Sequence, residues 1–283
     1  MDKRYHYLMC RPTCFAIAYE INPWMNVKNP ADAALAHKQW DILHDAIINA
    51  GAEVSLIEPV EGLPDMVFTA NAGLVRCHPA CHPELVSGSK MMPNRDVILS
   101  RFMHKERQGE EQYYEKWFRE HGYHCHSVPS GSAFEGAGDA VFYKDRLLIG
   151  YGFRTDISSL PHVGEIMEME YLPLELINRH FYHLDTCLQY IDDVNLIIYY
   201  PDAFSPESIK KIEDLPSDIL RLSDEDAFSF VCNSISIGRN LLLYECSKTL
   251  SDKLREYGLK IITIDTSEFM KSGGSVRCMV LSI

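Results

Sequence analysis

Glu135, His183 and Cys278 each stand where a turn meets an apolar segment, and each brings a side chain able to run covalent chemistry. Cys278 follows Gly273 and Gly274, which permit a tight backbone approach, and precedes the apolar run 279–283, which reads as a buried strand beginning at the cysteine. A cysteine, a histidine and an acid supply a nucleophile, an acid/base and an orienting group. A lone cysteine is more often a small core residue, and a lone histidine at a strand is usually just packed. What separates these three from that reading is their recurrence at comparable places in separate parts of the chain.

A second set could hold a planar cation. Glu135 and Asp139 flank two glycines immediately before a hairpin, so backbone can crowd a ligand while a carboxylate pairs with it. The glycines are not a dinucleotide loop, because no helix follows them. Asp65 and Asn71 bracket an apolar segment read as a strand, at an even offset that sets both on one face. Arg107 and Arg154 follow apolar strand ends, where an arginine can fork onto a carboxylate. The set fits a guanidinium. The Cys278 thiolate would attack its central carbon, and His183 would protonate departing ammonia and then activate water. Glu135 and Asp65 would hold the guanidinium and keep that carbon electrophilic, and the bound cation would favour the thiolate.

The whole chain sets bounds on this chemistry. It has 283 residues, 46% apolar and 24% charged, enough for a substantial core in one large domain or two. The formal charge of −13 argues against a nucleic-acid partner and favours encounter with a small cation. No run is long and apolar enough for a membrane span, and the polar start lacks a secretory core. Nine irregularly spaced cysteines predict reduced thiols and a cytoplasmic location.

The positioning elements repeat. Helical periodicity predicts helices over 33–49, 110–120, 161–178, 206–215 and 248–257, each followed by an apolar strand, at 54–60, 123–128, 181–184, 219–222 and 259–264. Residues 15–20 alternate as a strand. Hairpins are predicted for 140–143 with 147–150, 188–191 with 194–200, and 235–237 with 241–244. Residues 73–76 and 96–100 form a fourth pair, and the two chain ends could supply a fifth. A helix, a strand and a hairpin repeated about five times point to a closed radial α/β array with helices outside and pre-hairpin turns on the axis. The segment 77–94 separates the fourth pair. Its Cys77, His78, Cys81 and His82 carry zinc-like spacing, but three prolines and no periodicity fit a surface insertion better, and no metal is expected.

The chain resembles the guanidine-modifying enzymes of the amidinotransferase superfamily. The likeness rests on Cys10-Arg11-Pro12, Asn22-Pro23-Trp24-Met25, Phe68-Thr69-Ala70-Asn71-Ala72-Gly73, Phe134-Glu135-Gly136-Ala137-Gly138-Asp139, His183-Leu184-Asp185 and Gly273-Gly274-Ser275-Val276-Arg277-Cys278. It covers nearly all of the chain apart from 77–94, and implies a pentein fold, a five-bladed α/β propeller forming one catalytic domain over 1–283. It also implies Cys278 as nucleophile with His183 and Glu135 as partners, and substrate contacts from Asn22, Asp65, Asn71, Arg107, Arg154 and Asp139, without a cofactor. Within the superfamily the likeness is greatest to arginine dihydrolase, which makes ornithine, carbon dioxide and two ammonia from arginine. It does not extend to the long C-terminal region of the cyanobacterial proteins. Dimethylargininases and arginine deiminases, the alternatives, usually carry Asp where this chain has Asn71. The expected partner is a small molecule, arginine or a methylated arginine, with a homo-oligomer left open. A binding protein with a decayed pentein site is the non-enzymatic alternative, disfavoured by the joint presence of Cys278, His183 and Glu135.

Overall fold

The computed structural model describes residues 5–76 and 95–283, so the expected insertion at 77–94 lies outside the described residues. Strand β1 (His6–Cys10) is followed by α1 (Ala33–Asn49), which crosses to β2 (Glu53–Ile57), parallel to β1. Strands β3 (Gly73–Arg76) and β4 (Asp96–Leu99) pair antiparallel, and α2 (Lys105–Gln108) with α3 (Glu111–Glu120) crosses to β5 (His124–Ser127). The same order gives β6 (Ala140–Tyr143), β7 (Arg146–Tyr151), α4 (Leu160–Met167) and β8 (Glu170–Glu175). Next come β9 (Leu188–Ile191), β10 (Leu196–Tyr199), α5 (Pro206–Glu213) and β11 (Asp218–Arg221). After α6 (Asp224–Phe228) follow β12 (Ile235–Ile237), β13 (Asn240–Leu243), α7 (Lys248–Glu256) and β14 (Lys260–Thr263). Finally α8 (Ser267–Met270) leads to β15 (Leu281–Ser282), which returns antiparallel to β1.

The result is five three-stranded sheets, each an antiparallel pair extended by a parallel strand, which is the expected pentein propeller. A parallel strand needs a crossover, and one helix-bearing connection per blade supplies it. Middle strand β10 is buried along its length, whereas the third strands β5, β11 and β14 have exposed ends. The hairpins therefore face inward and the helices cover the rim. Each helix buries one stripe. On α1 that stripe is Ala36, Gln39, Trp40, Leu43 and Ile47, started by the Asp32 carboxylate accepting the Leu35 N–H.

Five local expectations fail, each for a physical reason. Residues 15–20 form no strand: Phe15 and Ile17 alternate inward with exposed Ala16 and Ala18, but after the turn Pro12–Cys14 no neighbouring strand offers a ladder. The helix expected over 161–178 stops at Met167, where Glu168 turns left-handed (φ 50°) and Pro173 sits in β8 instead. The expected strand 181–184 is therefore a turn region, its place in the sheet taken by β8. Asp65 and Asn71 do not flank a strand. They lie in successive 3-10 turns, Pro64–Val67 and Thr69–Ala72, so the even-offset argument does not hold. Cys278 likewise sits in the turns before β15, not at the start of a strand.

Trp40 is fully buried against the core of the first blade, with the Arg11 guanidinium 4.9 Å from its ring and His44 stacked at 5.2 Å. Trp40→Ala is expected to cost about 3–5 kcal/mol, from lost transfer energy plus a cavity. Urea unfolding of parent and variant measures this, and a loss under about 1 kcal/mol would mean that α1 is not a packed part of the propeller.

Candidate active site

Every blade delivers its polar residues from the stretch just before its inner hairpin. Asn71 precedes β3, Glu135 and Asp139 precede β6, His183 and Asp185 precede β9, Asn233 precedes β12 and Cys278 precedes β15. Strand pairing fixes where each stretch ends, and the turns let the side chains converge on the axis. Ile21, Asn22, Met25, Asp65, Phe68, Asn71, Arg107, Arg154, Tyr182, His183, Gly274 and Cys278 line one cavity there. Its free volume of about 10 Å³ is room for about one water.

Cys278 and His183 share this cavity, and Glu135 stands behind the imidazole, fully buried, with His183 Nε2 2.8 Å from its carboxylate. Arg154 donates to the same carboxylate oxygen at 3.1 Å, and the Met103 N–H donates to the other oxygen. Burial alone would raise the Glu135 carboxyl, but Arg154, His183 and Arg107 outweigh it and bring it down to about 2. On the far side of the ring, the Asn71 amide nitrogen lies 3.4 Å from His183 Nδ1 and 3.3 Å from the Glu135 carbonyl. Asn71 Oδ1 accepts from Arg107 at 2.9 Å, which orients the amide with its NH₂ toward His183. An Nδ1 that accepts leaves the proton on Nε2, which donates to Glu135. His183 is thereby held in one tautomer from both sides.

The remaining expected residues are placed less directly. Arg107 is fully engaged inside the protein, forking onto Glu110 at 2.9 and 2.8 Å and reaching the Asp65 carbonyl at 3.2 Å. Asp65 accepts from Tyr19, and burial raises its carboxyl. Asn22 lines the cavity, but its side chain caps the backbone of Trp24 and Met25 and donates to the Ser272 carbonyl. Asp139 is not among the cavity-lining residues. It accepts from Thr155 and the Leu184 N–H, bracing the turn that carries His183, and burial pushes it up to about 6.

Sequence reasoning missed the surroundings of the sulfur. Cys278 Sγ lies 3.6 Å from the Asp185 carboxylate and 3.0 Å from the Asn233 amide nitrogen. Burial, and then the Asp185 charge, push the thiol well above its ordinary range, against the lowering effect of Ser275 and Asn233. Burial likewise pushes Asp185 up to about 7, opposed by Arg277, and Glu110 up to about 7, opposed by Arg107. The signal for Asn233 was present in the repeat. Four blades show chemistry in their pre-hairpin stretches, and the stretch before β12 is the corresponding place in the fifth.

An aspartate titrates near pH 4 in an unfolded chain, whereas Asp185 titrates near 7 in the folded one. Between those values the native state binds the extra proton, so this residue's contribution to stability falls as pH rises through that window. Asp185→Asn is therefore expected to gain stability relative to the parent as pH goes from about 5 to about 8, by a few kcal/mol at most. Paired urea titrations across that range would show it, and a stability difference independent of pH would contradict the placement of this carboxyl.

Residues 18–283 match the family described as N,N dimethylarginine dimethylhydrolase, eukaryotic. The chain is 38% identical over 281 residues to the bifunctional arginine dihydrolase/ornithine cyclodeaminase ArgZ of a Synechocystis species, covering 98% of this chain but only 37% of that protein. It is also 38% identical over 278 residues to the N(G),N(G)-dimethylarginine dimethylaminohydrolase of Mycobacterium tuberculosis, covering 98% of this chain and 85% of that one. Among solved structures, the product-bound N-terminal domain of ArgZ superposes with a TM-score of 0.88 at 38% identity, covering 99% of this chain and 97% of that domain. The chain belongs to the dimethylarginine dimethylhydrolase family of the guanidine-modifying superfamily, hydrolases of carbon–nitrogen bonds that work through a cysteine nucleophile.

Proposed function

We propose that this chain hydrolyses free arginine twice, to ornithine, carbon dioxide and two ammonia, as a single catalytic domain in the cytoplasm. The electrostatics support a cationic substrate. Asp65, Glu110, Glu135, Asp139 and Asp185 are all buried against two buried guanidiniums, Arg107 and Arg154. Buried charge is costly unless paired, so a guanidinium entering the cavity meets an unmatched negative potential. The cavity holds about one water when closed, so part of its lining gives way as the substrate enters.

In this reading His183 takes the Cys278 thiol proton, the thiolate adds to the guanidinium carbon, and the carbon–nitrogen bond breaks as His183 passes that proton to the departing ammonia. Deprotonated His183 then takes a proton from water, which attacks the carbon. The carbon–sulfur bond breaks, its electron pair returns to sulfur, and a ureido group remains. A second addition at that carbon expels the second ammonia, and a second water releases the carbon as carbon dioxide and the amine as ornithine. Glu135 stabilises the imidazolium in each round. A bound cation offsets the charges that disfavour the Cys278 thiolate.

The observation that carries two rounds is Asn71, an amide held between Arg107 and His183. A carboxylate in its place would pair with Arg107 and accept from His183 Nδ1. The imidazolium would then be held from both sides, which makes a good acid and a poor base. It would also repel a neutral ureido oxygen, whereas the amide can donate to one. The similarity to an arginine dihydrolase domain supports this outcome. The competing reading, dimethylarginine converted to citrulline and dimethylamine, draws on the matched family and the mycobacterial relative.

Arginine, citrulline and dimethylarginine should be assayed side by side for ammonia, amine, citrulline and ornithine. Arginine is expected to give ornithine with two ammonia per turnover. Citrulline accumulating from arginine, or consumption of dimethylarginine alone, would overturn the dihydrolase assignment. Asn71→Asp is expected to stop at citrulline, with ornithine formation down by about 100-fold or more. Gly138→Ala tests the same contact from behind, since the added methyl would overlap the Asn71 amide nitrogen. Its turnover is expected to fall by more than about tenfold with the protein still folded though less stable, and full activity would show that the amide position does not matter.

A further inference from the structure

Asn233 is wholly buried, and its side chain uses all of its hydrogen-bonding capacity. Its oxygen accepts two backbone N–H groups of the nucleophile turn, from Ser275 and from Cys278, both at 3.1 Å. Backbone N–H groups only donate, so these two contacts fix which end of the amide is oxygen. The NH₂ group therefore faces the other way, toward Cys278 Sγ at 3.0 Å and the Asp185 carbonyl at 3.2 Å. The Asn233 carbonyl also accepts the Arg277 N–H at 3.1 Å. One residue thus grips the turn through the backbone N–H groups of Ser275, Arg277 and Cys278 and aims an N–H at the sulfur itself.

A brace alone would not require that donor. Sγ also lies 3.6 Å from the Asp185 carboxylate, which opposes negative charge on sulfur. The segment carrying Asn233 is also held against its own backbone preference. Phe230, whose carbonyl accepts the Asn233 N–H, is a buried aromatic in the left-handed region (φ 55°), kept there by Trp24 with ring centroids 4.7 Å apart. Bulky side chains rarely adopt that conformation, and it persists where the surroundings over-determine it.

We propose that Asn233 is a catalytic residue whose amide N–H holds the negative charge on Cys278 sulfur, first as the attacking thiolate and later as the leaving group. This rests on Cys278 being the nucleophile. In the attack, the sulfur lone pair forms the carbon–sulfur bond and the hydrogen bond weakens as charge leaves sulfur. In each hydrolysis the carbon–sulfur bond breaks, its electron pair returns to sulfur, and the N–H is already in place to receive it. A donor fixed beforehand stabilises developing charge without reorganising at the moment of reaction. Burial and Asp185 otherwise raise the thiol, and the Asn233 N–H works in the opposite direction on the sulfur, alongside the Ser275 backbone.

The test is the pH dependence of Cys278 alkylation by iodoacetamide in the free enzyme, read from the mass of the Cys278 peptide. Asn233→Asp keeps the shape and the oxygen that accepts from Ser275 and Cys278, but replaces the donor with a second oxygen. The apparent pKa of Cys278 is expected to rise by about one unit or more, so alkylation near pH 7 slows by about tenfold or more. kcat should fall with it, and the limiting alkylation rate at high pH should stay the same. An unchanged titration would overturn the inference and leave only a brace. Should the variant not fold, the parent protein decides. With nitrogen-15 asparagine labelling, the Asn233 side-chain amide should shift with the Cys278 titration and stand still in Cys278→Ser, and an amide that ignores the thiol would overturn the inference. Turnover that persists in Cys278→Ser would instead overturn the nucleophile assignment, and this inference with it.

Discussion

The Glu135 carboxylate, shared between Arg154 and His183 in the interior, is the interaction on which the rest of the site depends. Burial works against its charge, and only the nearby guanidiniums and imidazole keep it ionised. Those partners come from different blades, because Arg154 follows β7 and His183 precedes β9. Holding the charge therefore requires the blades to be assembled in register around the axis. Once it is held, it directs the His183 Nε2 proton, while Asn71 occupies the other ring nitrogen. The tautomer of His183 is thus set by the fold and not by the histidine alone.

The same logic extends outward through residues that never reach the cavity. Glu110 holds Arg107, Arg107 holds the oxygen of Asn71, and Asn71 turns its amide nitrogen to His183. Asp139 accepts from Thr155, whose hydroxyl also accepts the Glu135 N–H, and from the Leu184 N–H beside the histidine. Each link satisfies a buried polar group that would otherwise be costly. The outcome is an axis rich in acid, in which every carboxylate except Glu135 is pushed toward its neutral form or rests on a single cation. Such an axis is poised for a cation, because a bound positive charge would favour the ionised form of these carboxyls.

Around that axis the propeller supplies rigidity more than chemistry. The inner hairpins are short, and their buried faces merge into three apolar clusters that join neighbouring blades. Pairing of the last strand with the first closes the ring. That closure places the Cys278 turn beside Thr69–Ala72, where the Ala70 N–H donates to the Cys278 carbonyl at 3.0 Å. The two ends of the chain therefore determine jointly where Cys278 sits.

Much of this was legible in the residues themselves. The hairpins at 140–151, 188–199 and 235–243 carry local turn and alternation signals, and helices such as α1 and α7 carry a full apolar stripe with capping residues. Cys278, His183 and Glu135 stood out because their types imply chemistry at any location. Other features had no local signature. Residues 15–20 alternate like a strand but find no partner strand among the described residues, and the run through 161–178, already interrupted by Pro173, gains its edge strand because β7 stands beside it. Asn233 and Glu110 are ordinary polar residues until the contacts that define them form, from Asn233 across 45 residues to the sulfur, and from Glu110 through Arg107 across 36 more to Asn71. Patterning within a segment decides which elements form, because propensity and periodicity act over a few turns of chain. Which polar groups meet on the axis is decided only when the blades close, because a hydrogen bond needs its two ends within about 3 Å and the sequence does not contain that distance.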